Sequence, residues 1–179
     1  IEQIKNRLGS FHVRKIFLGT GDTFYDKCGA KVYIDSLAKE FEFYKFSDFV
    51  ENPKLEDIKR GIKELLLFGG DLILAIGGGS FIDMAKSINA LHKIDEVFII
   101  ETIIMNKIHI PLLPFIAIPT TAGSGSESTH FAVVYIDGKK YSFEDQKLLP
   151  NHIILDSNLL KSQSKYQMAV SGIDAFSQA

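Results

Sequence analysis

Short apolar runs alternate along this chain with stretches in which apolar residues return every three or four positions. Lys15–Gly19 reads as a buried strand ended by Thr20-Gly21-Asp22, and Phe43–Phe46 reads as a second one. Leu72–Ile76 and Phe115–Ile118 are further short runs, bounded by Gly79 and Pro119. Leu55, Ile58, Ile62, Leu65 and Leu66 recur at helical spacing and predict an amphipathic helix over Lys54–Phe68, stopped by Gly69-Gly70. Val32, Leu37, Ala38 and Phe41 predict a helix over Cys28–Phe41, and Met84, Ala85, Ile88 and Leu91 predict another over Phe81–Leu91. Phe131–Ile136 and Lys140–Phe143 flank Asp137-Gly138, the signal of a tight hairpin. Ile153–Leu155 reads as a late strand, and Ala169–Ala179 as a helix.

Strand and helix in alternation with short connections is the pattern of βαβ units, so the fold class is α/β. Composition adds mainly exclusions. Twenty basic against 22 acidic side chains give a net charge of -2, which speaks against a nucleic-acid or anionic-membrane binder. The longest apolar runs fall well short of the ~20 residues that span a bilayer, so no membrane association is expected and the location is expected to be cytoplasmic. A single cysteine, Cys28, cannot form an internal disulfide. The 179 residues open on Ile1 rather than methionine and stop at Ala179 inside a helical pattern with no capping glycine or proline. The chain therefore reads as a piece of a longer one.

Two loops carry candidate chemistry. Gly77-Gly78-Gly79-Ser80 lies between a strand and a helix. Glycines there let backbone approach a phosphate, and the first amides of the following helix point at the anion. The ordinary alternative is a tight turn with Ser80 as N-cap and Asp83 completing a capping box. Pro119-Thr120-Thr121-Ala122-Gly123-Ser124-Gly125-Ser126-Glu127 follows another strand and crowds hydroxyl donors and glycines together, suited to a phosphate, ribose or carboxylate. Its ordinary alternative is a polar connector. Both loops fall at carboxyl ends of strands, where α/β sheets bind ligands, which favours a dinucleotide or a similar phosphorylated ligand.

GGGSFIDMAK, IPTTAGSGSE and GIDAFSQA, in that order, resemble the signatures of the iron-containing (group III) alcohol dehydrogenase family. The resemblance runs from about Lys15 to Ala179 and covers only the N-terminal part of such an enzyme. It implies an open, mostly parallel Rossmann-like sheet with flanking helices and a β-hairpin, the C-terminal helical domain being absent. Residues 1–166 would form the dinucleotide-binding domain, and 167–179 the start of the helical one. It also implies NAD or NADP as cofactor, a small aldehyde or primary alcohol as substrate, and a homodimer. Gly78, Gly79 and Ser80 would hold the pyrophosphate, Asp83 would sit beside the nicotinamide end, and Thr120, Thr121 and Ser124 would line the cleft. Lys140 would reach the ribose or phosphate. Gly21 stands where NAD-preferring relatives carry an acidic residue, which leans towards NADP, while the adjacent Asp22 could restore NAD.

In the family, an aspartate and a histidine four residues later begin a helix and bind iron or zinc. Here Asp174 holds the first position and Gln178 the second. An amide oxygen is a weaker ligand than imidazole for a first-row transition metal, so metal affinity is expected to fall. His12, His92, His109, His130 and His152 form no pair at ligand spacing. The Gln178 signature also resembles a phosphonoacetaldehyde reductase-like subgroup. Two rival readings stand beside the leading one. One is a dehydroquinate synthase or glycerol dehydrogenase-like enzyme, against which the serine-rich loop speaks. The other is a nucleotide-binding module without redox activity. These 179 residues alone are expected to bind NAD(P)H weakly and turn over nothing.

Overall fold

The computed structural model describes residues 3–178, with only the backbone of Gln178. A first helix, α1 (Ile4–Ser10), leads into strand β1 (Lys15–Thr20). Helices α2 (Asp22–Lys27) and α3 (Ala30–Leu37) precede β2 (Glu42–Phe46), followed by α4 (Leu55–Phe68) and β3 (Leu72–Gly77). Next come α5 (Gly79–Leu91), α6 (Ile99–Met105), β4 (Phe115–Pro119), the strands β5 (Phe131–Ile136) and β6 (Lys139–Glu144), β7 (His152–Ile153) and α7 (Lys165–Gln178). The main sheet is wholly parallel in the order β2-β1-β3-β4-β7, and β5 and β6 form a separate antiparallel hairpin.

Alternate residues of the central strands face opposite layers, as a doubly covered sheet requires. Phe17, Ile73, Ala75, Phe115 and Ala117 pack with α4, α5 and the hairpin. Ile16, Leu18, Leu72, Leu74, Ile76 and Ile118 pack with α1 and α3 on the other side. Helix α5 lies between sheet and hairpin, and every residue from Ile82 to Leu91 is buried. That double burial explains why its sequence lacks a clean polar stripe.

The helix expected over Cys28–Phe41 is shorter, α3 over Ala30–Leu37, and a separate helix, α2, precedes it. Gly29, at φ 82°, breaks the run, and the buried face of α3 is Ala30, Ile34 and Leu37, with Val32 outward. Leu66 also faces solvent on α4. The late strand is shorter than expected and ends at Ile153, because only His152 and Ile153 pair with β4. Helices α1, α2 and α6 have no counterpart in the sequence reading. The hairpin turn is as expected: Asp137 and Gly138 both take positive φ, 49° and 75°, the geometry that Asp-Gly favours. The boundary expected at residue 166 falls in the first turn of α7.

Candidate functional site

Strand β3 ends at Gly77, and Gly77 is the register partner of Pro119 at the end of β4. The amide of Thr120 donates to the Gly77 carbonyl at 3.0 Å, so both loops leave the sheet at one level. They open into a cavity of about 700 Å³ at the carboxyl edge of β1, β3 and β4. Gly21, Gly78, Gly79, Ser80, Thr120, Thr121 and Ser124 all line it. Seven of the nine residues expected to hold a cofactor thus share one cavity.

The glycine turn belongs to helix α5 rather than preceding it. Gly78 is the N-cap, in an extended conformation with no side-chain cap, so Ser80 does not cap the helix. Ser80 faces the cavity, and its Oγ accepts from the Asn52 amide at 3.4 Å. The first-turn amides of this 13-residue helix point outward with the positive end of its dipole, a ready anion site. A Cβ on Gly79 would stand 2.8 Å from Ser126 Oγ and 3.2 Å from Ser124 Oγ, so the glycine lets two hydroxyls close over the turn. A Cβ on Gly21 would meet the Phe81 ring at 2.7 Å.

The serine-rich loop is held from three sides. The buried Gln163 side chain donates through Nε2 to the Thr120 carbonyl at 2.7 Å. Gly123, at φ 111°, presses against the α7 backbone. Lys86 Nζ donates to the carbonyls of Ser126, Thr129 and Phe131 at 2.6, 2.7 and 3.0 Å. Burial pushes the Lys86 ammonium down to about 8, against the opposing pull of Asp83 and Glu127.

Asp83 and Lys140 stand elsewhere. Neither lines the cavity. Asp83 is buried under the hairpin, where Oδ2 accepts from the Val133 amide at 3.2 Å. Burial raises its pKa to about 6, moderated by Lys86, the Val133 amide, Ser126 and Lys140. Lys140 is exposed on β6 opposite Tyr135. Its charge bears weakly on Asp83.

Asp22 begins α2 at the cavity rim and pairs with Lys45 at 2.5 Å. Hydrogen bonding to Lys45 and Ser47 holds its carboxyl below the usual range. Asp174 faces the cavity from α7, while the Gln178 side chain lies outside the described residues. Among the described residues no group of three or more His, Cys, Asp or Glu could hold a metal ion. His130 sits on the hairpin, 3.8 Å from Glu144, away from the cavity. Burial raises the half-buried Cys28 thiol, which leaves it poorly nucleophilic.

The sequence profile of iron-containing alcohol dehydrogenase matches residues 1–157. The chain belongs to the iron-containing alcohol dehydrogenase family. Its α/β fold is the N-terminal domain of that family. It is 35% identical over 132 residues to the probable alcohol dehydrogenase EutG of Escherichia coli, covering 73% of this chain and 33% of that protein. It is 31% identical to the sulfoacetaldehyde reductase of Bilophila wadsworthia, covering 99% of this chain and 45% of the relative. Among solved structures, the sulfoacetaldehyde reductase of Bifidobacterium kashiwanohense in complex with NAD+ superposes with a TM-score of 0.90 at 28% identity, over 98% of this chain and 47% of that one. The NADH-dependent butanol dehydrogenase A of Thermotoga maritima gives 0.87 at 25% identity, covering 98% and 45%. The chain thus spans a third to a half of these relatives. The rival dehydroquinate synthase or glycerol dehydrogenase-like reading is not favoured.

Other cavity residues of this iron-containing alcohol dehydrogenase domain went unnamed in the sequence. Ser47, Phe49 and Glu51 reach it from the segment after β2, and Gln167, Val170 and Ser171 reach it from α7. Position after a parallel strand was the available signal for the first group. Lys86 lay three residues beyond Asp83, on the same helix face.

Proposed function

We propose that this chain is the cofactor-holding domain of an NAD(P)-dependent oxidoreductase that interconverts an aldehyde and a primary alcohol. The observation that carries this reading is the register pairing of Gly77 with Pro119, which sets an uncapped helix N-terminus and a hydroxyl-rich loop around one cavity. Gly78, Gly79 and Ser80 would offer amides and a hydroxyl to the pyrophosphate, and Thr120, Thr121 and Ser124 would close on it from the other side. The cradle fits: a Cβ at Gly78 or Gly79 would fill it, meeting Thr121 Oγ1 at 3.2 Å or Ser126 Oγ at 2.8 Å. A bound nicotinamide supplies the hydride acceptor or donor. The protein's part is to orient that ring and exclude water around it.

Cofactor choice falls to Gly21, Asp22 and Lys45 at the α2 rim. Glycine at residue 21 brings no acidic side chain, and so no repulsion of a 2′-phosphate, to the adenine ribose. Asp22 is drawn to Lys45, so its charge is partly neutralised at short range. NADP is therefore accepted alongside NAD. The described residues do not fit iron or zinc on their own, since Asp174 is the one family metal position that brings a carboxylate to the cavity. Residues 1–166 form the dinucleotide-binding unit, with α7 opening the next one, and the working protein is a cytoplasmic homodimer.

Titrating NADH and NADPH into the chain, with nucleotide fluorescence as the readout, tests the reading. Saturable binding of either nucleotide and no aldehyde turnover by these residues alone is the expected result. Absence of binding of both overturns it.

A further inference from the structure

Lys86 is 1% exposed, yet it is a cation on the helix that begins with the glycine turn. Its Nζ also lies 3.0 Å from Thr129 Oγ1, so its acceptors all come from Ser126, Thr129 and Phe131. Resting on the dinucleotide reading, the structure assigns Lys86 as a positioning residue that clamps the serine-rich loop onto the cofactor turn. Three ammonium protons meet three backbone carbonyls, so the one side chain fixes three points of the loop. Ser126 is the link: its carbonyl is on Lys86, and its hydroxyl is the group that Gly79 makes room for. The same residue thus ties the clamp to the turn that receives the pyrophosphate.

A neutral amine cannot do this. It keeps two N–H groups and turns a lone pair towards a carbonyl oxygen, which converts one attraction into repulsion. The groups facing Lys86 are Asp83 on α5 and Glu127 on the loop, both favouring its charged form. Lys140 bears on Asp83 from β6, and His130 pairs outward with Glu144. Asp83 titrates near 6 and the lysine near 8, so a pH series from 7 to 9.5 isolates Lys86 from its carboxylate neighbour. A bound pyrophosphate favours the ammonium, so nucleotide affinity is lost as pH rises through the free chain's value.

The test compares the wild-type chain with K86M and K86R, by hydrogen exchange over residues 120–131 and by NADH titration. In K86M, exchange is expected to rise in that segment while the parallel strands stay protected, and NADH binding to weaken roughly tenfold or more. Wild-type affinity is expected to fall about tenfold per pH unit above about pH 8. K86R, which keeps its charge, is expected to hold both loop protection and a flat profile. Wild-type-like NADH binding by K86M, or a wild-type affinity constant from pH 7 to 9.5, overturns the assignment. If K86M does not fold, the wild-type pH series decides. If the wild type binds neither nucleotide, the dinucleotide reading fails, and the exchange of the loop in K86M still decides the clamp.

Discussion

A Cβ placed on Gly123 would stand 2.2 Å from the backbone oxygen of Ser171, so loop and helix α7 touch main chain to main chain. No rotamer can relieve that approach, and the φ of 111° adds strain for any L side chain. Gly123→Ala is expected to cost about 2 kcal/mol or more and to lower Tm by about 5 °C. Differential scanning fluorimetry measures it, and an unchanged melting point would show that α7 does not rest on this loop.

Gly79 separates binding from folding. A methyl group there meets side-chain hydroxyls, which can swing aside, so Gly79→Ala is expected to leave the fold intact. The displaced Ser124 and Ser126 then no longer close over the turn. NADH affinity should weaken roughly tenfold with little movement in Tm. Calorimetric titration beside a melting curve checks both halves; a loss of Tm without a loss of affinity contradicts the cradle.

Asp22→Asn removes the carboxylate charge that faces Lys45 and leaves that ammonium uncompensated beside a cavity-lining residue. With the adenine ribose at residue 21, as proposed, that cation would attract a 2′-phosphate. The ratio of NADPH to NADH affinity is expected to rise about three- to fivefold, the scale of an exposed ion pair. Parallel titrations with the two nucleotides measure the ratio, and a fall would place the adenosine end elsewhere.

The central strands β3 and β4 were legible because they are short, apolar and punctuated by glycine or proline. The amphipathic helix α4 was equally plain, since only one face of it is buried. The region between β1 and β2 was not. Its break at Gly29 depends on a left-handed backbone, while apolar Val32 happened to continue the helical spacing outward. For the site, motifs named the two loops that converge. They did not show that a hairpin covers Asp83, because that hairpin is fixed by tertiary packing, including the Tyr135 amide donating to the Pro53 carbonyl at 2.7 Å. Nothing local in sequence marks that contact.

The Asp83 carboxyl makes stability depend on pH. Burial raises it from 3.8 to about 6, so the protein gains from holding a proton there. That contribution is complete below about pH 4 and disappears as pH rises through about 6. Asp83→Asn keeps an acceptor for the Val133 amide without the charge. Its stability relative to wild type is expected to improve by up to about 3 kcal/mol between pH 4 and pH 7. Urea denaturation at the two pH values tests the sign, and a difference that does not change with pH would refute it.

The pairing of Gly77 with Pro119 has one more consequence. The distance between the two loops is set by a hydrogen-bond ladder, and that ladder does not depend on which side chains the loops carry. Substitutions within either loop can therefore retune what is bound while leaving the jaws aligned. Removing a single residue from β3 or β4 is different. It would slide one jaw past the other by a strand step of roughly 3.3 Å and turn its inward side chains to the opposite face. The site tolerates a change of vocabulary, then, but not a change of metre.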